Sequence, residues 1–359
     1  MIHSIADHAF TYALVVGPLY RGGFGDRTTL DRIIESIDTF TPARPAGDVM
    51  MRPDGRAKAV PGGELRYATF ESPAPTPMPA ECRTARVQIW TPTRHSSGAM
   101  CIHLAATGDE GFRRREGFAK RLLADGIGSI VLENPFYGTR RPNGQYGPML
   151  RTVLDQFAMS TAMVDEARAL LTWLRRAGYV AGVTGYSLGG FMAAFAAAFV
   201  DFPVVVVPRA AGTNAAPVLT EWVLSRAVHW PSLARESGSV DLAREDLARY
   251  LSFVDVSRFP PPVAPELATV MAARHDRVFP LSTGEALHRH WPGSHLVVSN
   301  AGHLTSVLFD AATHADAVVS GFQRARARAA GLRDLRPSEP SVERARILRP
   351  APPLAITSS

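Results

Sequence analysis

Residues 182–199, GVTGYSLGGFMAAFAAAF, set a single hydroxyl between glycines. Gly185, Ser187 and Gly189 spell G-x-S-x-G where an apolar run of strand length gives way to an Ala- and Phe-rich run of helical length. A strand, a sharp turn and a helix can hold a serine in a strained conformation, with glycines admitting close backbone approach. An ordinary Gly/Ser turn with a helix cap uses the same five letters. A serine hydroxyl attacks poorly until a base takes its proton, so a later acid and His are needed. Asp276 follows the apolar run LATVMAA in RHDRVFP, and His303 follows HLVVSN in AGHLTS. In that order His303 would serve as base and then acid, while Asp276 would orient the imidazole and stabilise its cation. Each has a plainer role available: Asp276 as a cap of the turn before Pro280, His303 as a packing residue where the final helix starts.

Attack on a carbonyl builds an oxyanion, which needs preorganised donors. The Leu188 amide, at the amino end of the helix after Ser187, is one expected donor. A second should come from HLAATGDEGF, where Thr107, Gly108 and Asp109 are the candidates and Thr107 is also a substrate-binding candidate, although Gly-Asp is also an ordinary turn. Tyr137, Arg140 and Arg141 of ENPFYGTRRPNGQYG could reach the same cleft and hold an anionic head group, while Trp222 and Trp230 could line it or pack a small core of their own. No metal site and no cofactor are expected. His288 and His290 are two apart on a helical stretch and face different ways, and Cys82 and Cys101 have no metal-ligand spacing.

The elements that must position these residues alternate. ELRYATFES and ARVQIWTP read as two antiparallel strands; AMCIHLAA and IGSIVLEN are near-continuous apolar runs, as for strands covered on both faces. Between the latter pair lies a helix ending at Gly126, and after them come a long helix (LDQFAMSTAMVDEARALLTWLRRAGY), the strand VAGVTGYS, the buried helix LGGFMAAFAAAF and the strand FPVVVVPR. LATVMAA and SHLVVSN are two more strands, with STGEALHRHW helical between them and a last helix from about Ser306 to Arg328. The expected class is α/β: a mostly parallel central sheet with helices on both faces. Residues 214 to about 262 hold helices and no strand, which suggests a helical lid. The expected division is an amino-terminal extension over 1–60, a catalytic domain over 61–321 and a basic, Pro/Arg-rich, disordered tail over 322–359.

Charge and composition narrow the function classes. The net charge is +6, but eight Arg against three acids from Phe322 onward place +5 of it in the tail, so the body is nearly neutral. Nucleic-acid binding needs a basic face interleaved with aromatics on the folded part, and none is legible. The tail could make weak contact with an anionic membrane surface. No stretch reaches the roughly 20 apolar residues of a membrane-spanning helix, and AFTYALVVGPLY lacks a basic leader, so a cytoplasmic location is the expectation. Two cysteines are too few for a disulfide framework.

HLAATGDEGFRRRE, LENPFYGTRRP, VTGYSLGGFMA, AGHLTSVLF and, more loosely, YRGGFG resemble the alpha/beta hydrolase domain-containing protein 18 family and its bacterial relatives. The resemblance covers about residue 10 to residue 320. It implies the α/β-hydrolase fold with Ser187, Asp276 and His303 as triad, and makes acyl-ester or lipid substrates plausible. The His-Gly oxyanion motif common in the wider superfamily is missing after the third strand. The expected function is therefore a serine hydrolase cleaving acyl or lipid esters through an acyl-enzyme. Acyl transfer by the same triad is one alternative; a non-catalytic hydrolase fold that binds a hydrophobic ligand is another.

Overall fold

Nine of the ten strands join in the order β1-β3-β4-β6-β5-β7-β8-β9-β10, with β2 on β3. They are β1 (Arg52–Pro53), β2 (Lys58–Val60), β3 (Gly63–Glu71), β4 (Thr84–Pro92), β5 (Ala99–Leu104), β6 (Ile127–Leu132), β7 (Val180–Tyr186), β8 (Val205–Arg209), β9 (Thr269–Ala273) and β10 (His295–Ser299). A computed structural model describes Asp7 and residues 17–41, 44–93 and 97–334 of the chain. The strands from β5 to β10 run parallel, and β1 to β4 form an antiparallel end. The short strands β1 and β2 lie in the expected amino-terminal extension, where no strand is expected. Their side chains are almost wholly exposed, and exposed edge strands carry little apolar signal.

The helices are α1 (Arg27–Asp38), α2 (Arg113–Ala124), α3 (Val153–Arg176), α4 (Leu188–Ala198), α5 (Ala216–Thr220), α6 (Trp230–Ser237), α7 (Val240–Ser252), α8 (Leu281–His290), α9 (His303–Phe309) and α10 (Ala311–Asp334). Period-2 alternation sorts each central strand between two layers. From β5, Met100, Ile102 and Leu104 enter the larger core with α3 and α4, while Ala99 and Cys101 join a second core under α2 and α10. Helix α4 is buried over nearly its whole surface, which is why its sequence is apolar all round instead of showing one stripe. Residues 214–262 hold α5, α6, α7 and the 3-10 turns Val223–Ala227 and Val256–Arg258, and no strand.

Three boundaries differ from expectation. The last helix is two: α9 begins at His303 and stops at Asp310, and α10 starts at Ala311. The body does not end at residue 321, because Phe322 and Ala325 are buried in the second core and α10 continues to Asp334. The basic run is expected as tail for its charge, but Arg324, Arg326 and Arg328 lie on α10, which buries Phe322 and Ala325. The rest of the expected tail, 335–359, lies outside the described residues. Helix α1, expected in a mere extension, buries Leu30, Ile33, Ile34 and Ile37 in the larger core.

Candidate active site

Ser187 stands between the end of β7 and the start of α4 with φ 53° and ψ −119°. That conformation matches the first central residue of a type II′ turn, a position glycine normally holds. Two glycines make the bend sterically feasible. A Cβ on Gly185 would lie 2.2 Å from the Gly189 carbonyl carbon, and one on Gly189 would lie 2.4 Å from the Leu104 oxygen. The Ser187 amide donates to the Arg209 carbonyl at 2.9 Å, which ties the turn to β8. Its side chain makes no cap bond to α4 and faces a cavity of about 570 Å³.

His303 lines the same cavity from the first turn of α9. Its Nδ1 lies 2.8 Å from Asp276 Oδ2, with both groups buried. Asp276 also accepts the amides of Val278 and Phe279 on Oδ1, each at 2.7 Å. It therefore caps its turn and orients an imidazole at once: the two roles posed as alternatives use different oxygens. The Phe279 ring is stacked 6.2 Å from His303, the Tyr186 ring is tilted 5.2 Å away, and the Tyr186 hydroxyl donates to the His303 carbonyl.

Asp7 was not anticipated from sequence. Its carboxylate accepts the amides of Arg277 at 3.1 Å, His303 at 3.0 Å and Leu304 at 2.9 Å. One buried carboxylate thus links the acid loop to the start of α9, where backbone N–H groups lack helical partners. The acid and its partners are 270 or more residues apart in the chain, so no local pattern announces the contact.

Leu188, Thr107 and Asp109 line the cavity. The Gly108 amide, at φ 76°, points instead at the Tyr137 hydroxyl at 3.4 Å, and the Asp109 amide donates to the Ala106 carbonyl at 3.1 Å. Two of the three candidate second oxyanion donors are thus occupied, Gly108 by the neighbouring loop and Asp109 within its own. The Thr107 amide has no such bond to the described residues. The Asp109 carboxylate sits 2.8 Å from Arg115 Nε, both buried, and burial pushes its pKa above the usual carboxylate range against the pull of that arginine.

Tyr137, Arg140 and Arg141 do not line the cavity, contrary to expectation. Arg140 is 1% exposed; it pairs with Glu166, with Nη1 to Oε2 at 2.9 Å, and donates to the Cys82 and Glu133 carbonyls. Glu166 lies on α3, 26 residues away, so the loop sequence alone does not disclose the partner. Arg141 pairs with Glu110 at the surface of the loop. With the Tyr137 hydroxyl on Gly108 and the Gly138 amide on Glu110, ENPFYGTRRP braces the loop that carries Thr107, Gly108 and Asp109.

Of the two roles open to the tryptophans of the 214–262 segment, packing is the one they take, and neither lines the cavity. Trp222 packs on Val218, Val278 and Phe279, and Trp230 donates from Nε1 to the Ser225 carbonyl at 2.9 Å with Arg244 over its ring. An indole N–H needs an acceptor, and the lid backbone supplies one away from the cavity. Smaller side chains line the lid side: Val218, Leu219, Leu224, Leu251 and Val254. On the opposite side Arg209 lines the cavity. It is buried, and burial lowers its pKa to about 10. Among the described residues no cluster of His, Cys, Asp and Glu could hold a metal ion, and no helix is long and apolar enough to cross a membrane.

Among solved structures the chain is similar to acetyl xylan esterase 1 from Thermoanaerobacterium, at 13% identity over 85% of this chain and 98% of that one, with a TM-score of 0.51. It also matches an acetyl xylan esterase from Paenibacillus, at 16% identity over 79% and 92% of the two chains with a TM-score of 0.49. A cold-adapted esterase from an Arctic intertidal metagenomic library matches at 16% identity over 75% and 99%, with a TM-score of 0.48. At such identities the likeness is one of fold, carried by the first of the three: a mostly parallel sheet with flanking helices. The family model for alpha/beta hydrolase domain containing 18 matches residues 18–247 and 235–324, and the chain belongs to that family within the α/β-hydrolase superfamily.

Proposed function

We propose that the protein is a serine esterase that cleaves acyl or lipid esters through Ser187, His303 and Asp276. The observation that carries this is the 2.8 Å contact between His303 Nδ1 and Asp276 Oδ2 beside a serine held at positive φ in the same cavity. Asp276 fixes the imidazole so that Nε2 takes the Ser187 proton as the hydroxyl oxygen attacks the ester carbonyl. The Leu188 amide, and the Thr107 amide in place of Gly108 or Asp109, stabilise the resulting oxyanion. The proton on Nε2 passes to the leaving alcohol, leaving an acyl group on Ser187. His303 then draws a proton from water, whose oxygen attacks the acyl carbonyl; the bond to Ser187 Oγ breaks, the same proton returns from His303 to that oxygen, and the acid leaves. The mostly apolar cavity, with Phe157, Phe191 and Met192 facing the lid side chains, suits an acyl chain.

A fluorophosphonate probe tests the assignment. Wild type should be labelled at Ser187, Ser187→Ala should not be labelled, and His303→Ala should react at least about 100-fold more slowly. An unlabelled wild type, or equal labelling of Ser187→Ala, overturns it.

A further inference from the structure

The cavity around Ser187 has two unlike sides. Toward the lid it is aliphatic and aromatic; toward α2 and α10 it carries Asp109, Arg115, Arg209 and His314. Three of these four find partners within the protein. Asp109 pairs with Arg115, and His314 Nε2 lies 3.1 Å from Ser306 Oγ. Arg209 is different. It is 7% exposed, its Nε donates to the Gly185 carbonyl at 3.3 Å, and its guanidinium carbon lies 4.3 Å from the Phe118 centroid and 5.9 Å from that of Tyr186. Those contacts set the plane of the fork. Its Nη1 and Nη2 make no hydrogen bond or ion pair with the described residues, yet they are not sealed from the cavity that Arg209 lines.

Asp109 acts on Arg209 only through space and is itself paired with Arg115. A buried cation with no carboxylate bonded to its fork is costly, and the end-on edge of a guanidinium presents two parallel donors that a carboxylate accepts bidentately. We propose that Arg209 binds a carboxylate carried by the substrate, so that the enzyme selects esters bearing a second, ionised carboxyl group beside the scissile one. The substrate class rests on the esterase reading above. A carboxylate matches the single charge of Arg209. A phosphate dianion would bring a further negative charge into a site that already holds Asp109. The Ser187 amide bonds to the Arg209 carbonyl, so nucleophile and anion site are joined through the same two strand ends.

The test compares purified wild type, Arg209→Met and Arg209→Lys on three p-nitrophenyl esters of matched length: hydrogen glutarate, pentanoate and an ω-phosphonate. Wild type should favour the glutarate over the pentanoate by about 10- to 100-fold in kcat/KM, mainly through KM. Arg209→Met should lower that ratio by at least about tenfold, and Arg209→Lys by less, because an ammonium keeps the charge without the fork. Should the Met variant not fold, the Lys variant alone must show a reduced ratio. Equal losses on both esters, no wild-type preference for glutarate, or a preference for the phosphonate overturns the proposal. Failure of the esterase itself reads differently, as no turnover of any ester and no fluorophosphonate labelling. Calorimetry with free glutarate then decides: binding at least about tenfold weaker in Arg209→Met supports the anion site, and equal or absent binding overturns it.

Discussion

Replacing Ser187 with glycine should leave the protein more stable than replacing it with alanine, although both changes remove the hydroxyl. At φ 53° and ψ −119° any residue with a Cβ is strained, and alanine keeps that atom. Such strain costs on the order of 1–3 kcal/mol. Glycine relieves it but gives the unfolded chain more freedom, which offsets about 0.4–1 kcal/mol. Two further terms that would blur the comparison are small here. Ser187 makes no side-chain cap bond to α4, so neither variant loses one, and its side chain faces the cavity, so truncation opens no sealed void. The net expectation is that Ser187→Gly exceeds Ser187→Ala by about 1 kcal/mol, or about 1.5 °C in Tm for a chain of this length. Urea unfolding at pH 7, with m-values confirmed equal, measures the difference directly. Equal stabilities, or a more stable alanine variant, would mean that the turn is relaxed and that strain is not what positions the nucleophile.

Arg140→Met should cost about 3–5 kcal/mol by stranding Glu166 in the core, without changing the preference between charged and neutral esters; a changed preference at intact stability would return Arg140 to the substrate site. Asp7→Ala leaves three amides without their acceptor and should cost about 3 kcal/mol or more. It should also lower kcat at least about tenfold by loosening His303 against Asp276, so unchanged kcat and stability would refute the link between the two loops. Burial first, and Arg209 second, depress the His314 pKa to about 3. Because the folded value lies below the unfolded one, the stability from neutral His314 is complete above about pH 6.5 and is lost as pH falls toward 3, amounting to about 2 kcal/mol at pH 5. His103, also held well below its usual range by burial, acts in the same direction. His314→Gln should therefore reduce the loss between pH 7 and pH 5 in urea titrations, and an unchanged loss would show that this histidine is not buried neutral.

The central strands were legible because each is a short apolar run bounded by Gly, Pro or polar turns, and covered parallel strands require that pattern. The triad candidates were legible for a related reason: Ser187, Asp276 and His303 each follow such a run, and strand ends of a parallel sheet share one edge. The two edge strands were not, since Arg52–Pro53 and Lys58–Val60 bury almost nothing. Residue type alone points Tyr137, Arg140 and Arg141 to the cleft and leaves Trp222 and Trp230 open between cleft and packing. Type indicates what a side chain can do, but direction and partner decide what it does.

By itself the sequence determined the element order, the two-faced burial of β5 to β8 and the glycines that permit a bend at Ser187, because hydrophobic periodicity and backbone sterics act over a few residues. Only the tertiary structure decided which charges are spent inside the protein and which face the cavity. Arg140 meets Glu166 across 26 residues and Asp7 meets His303 across 296, while Arg209 keeps Nη1 and Nη2 without a partner among the described residues. Such pairings depend on how strands and helices converge in space, and the interaction of two buried charges depends on their separation in ångströms, not along the chain.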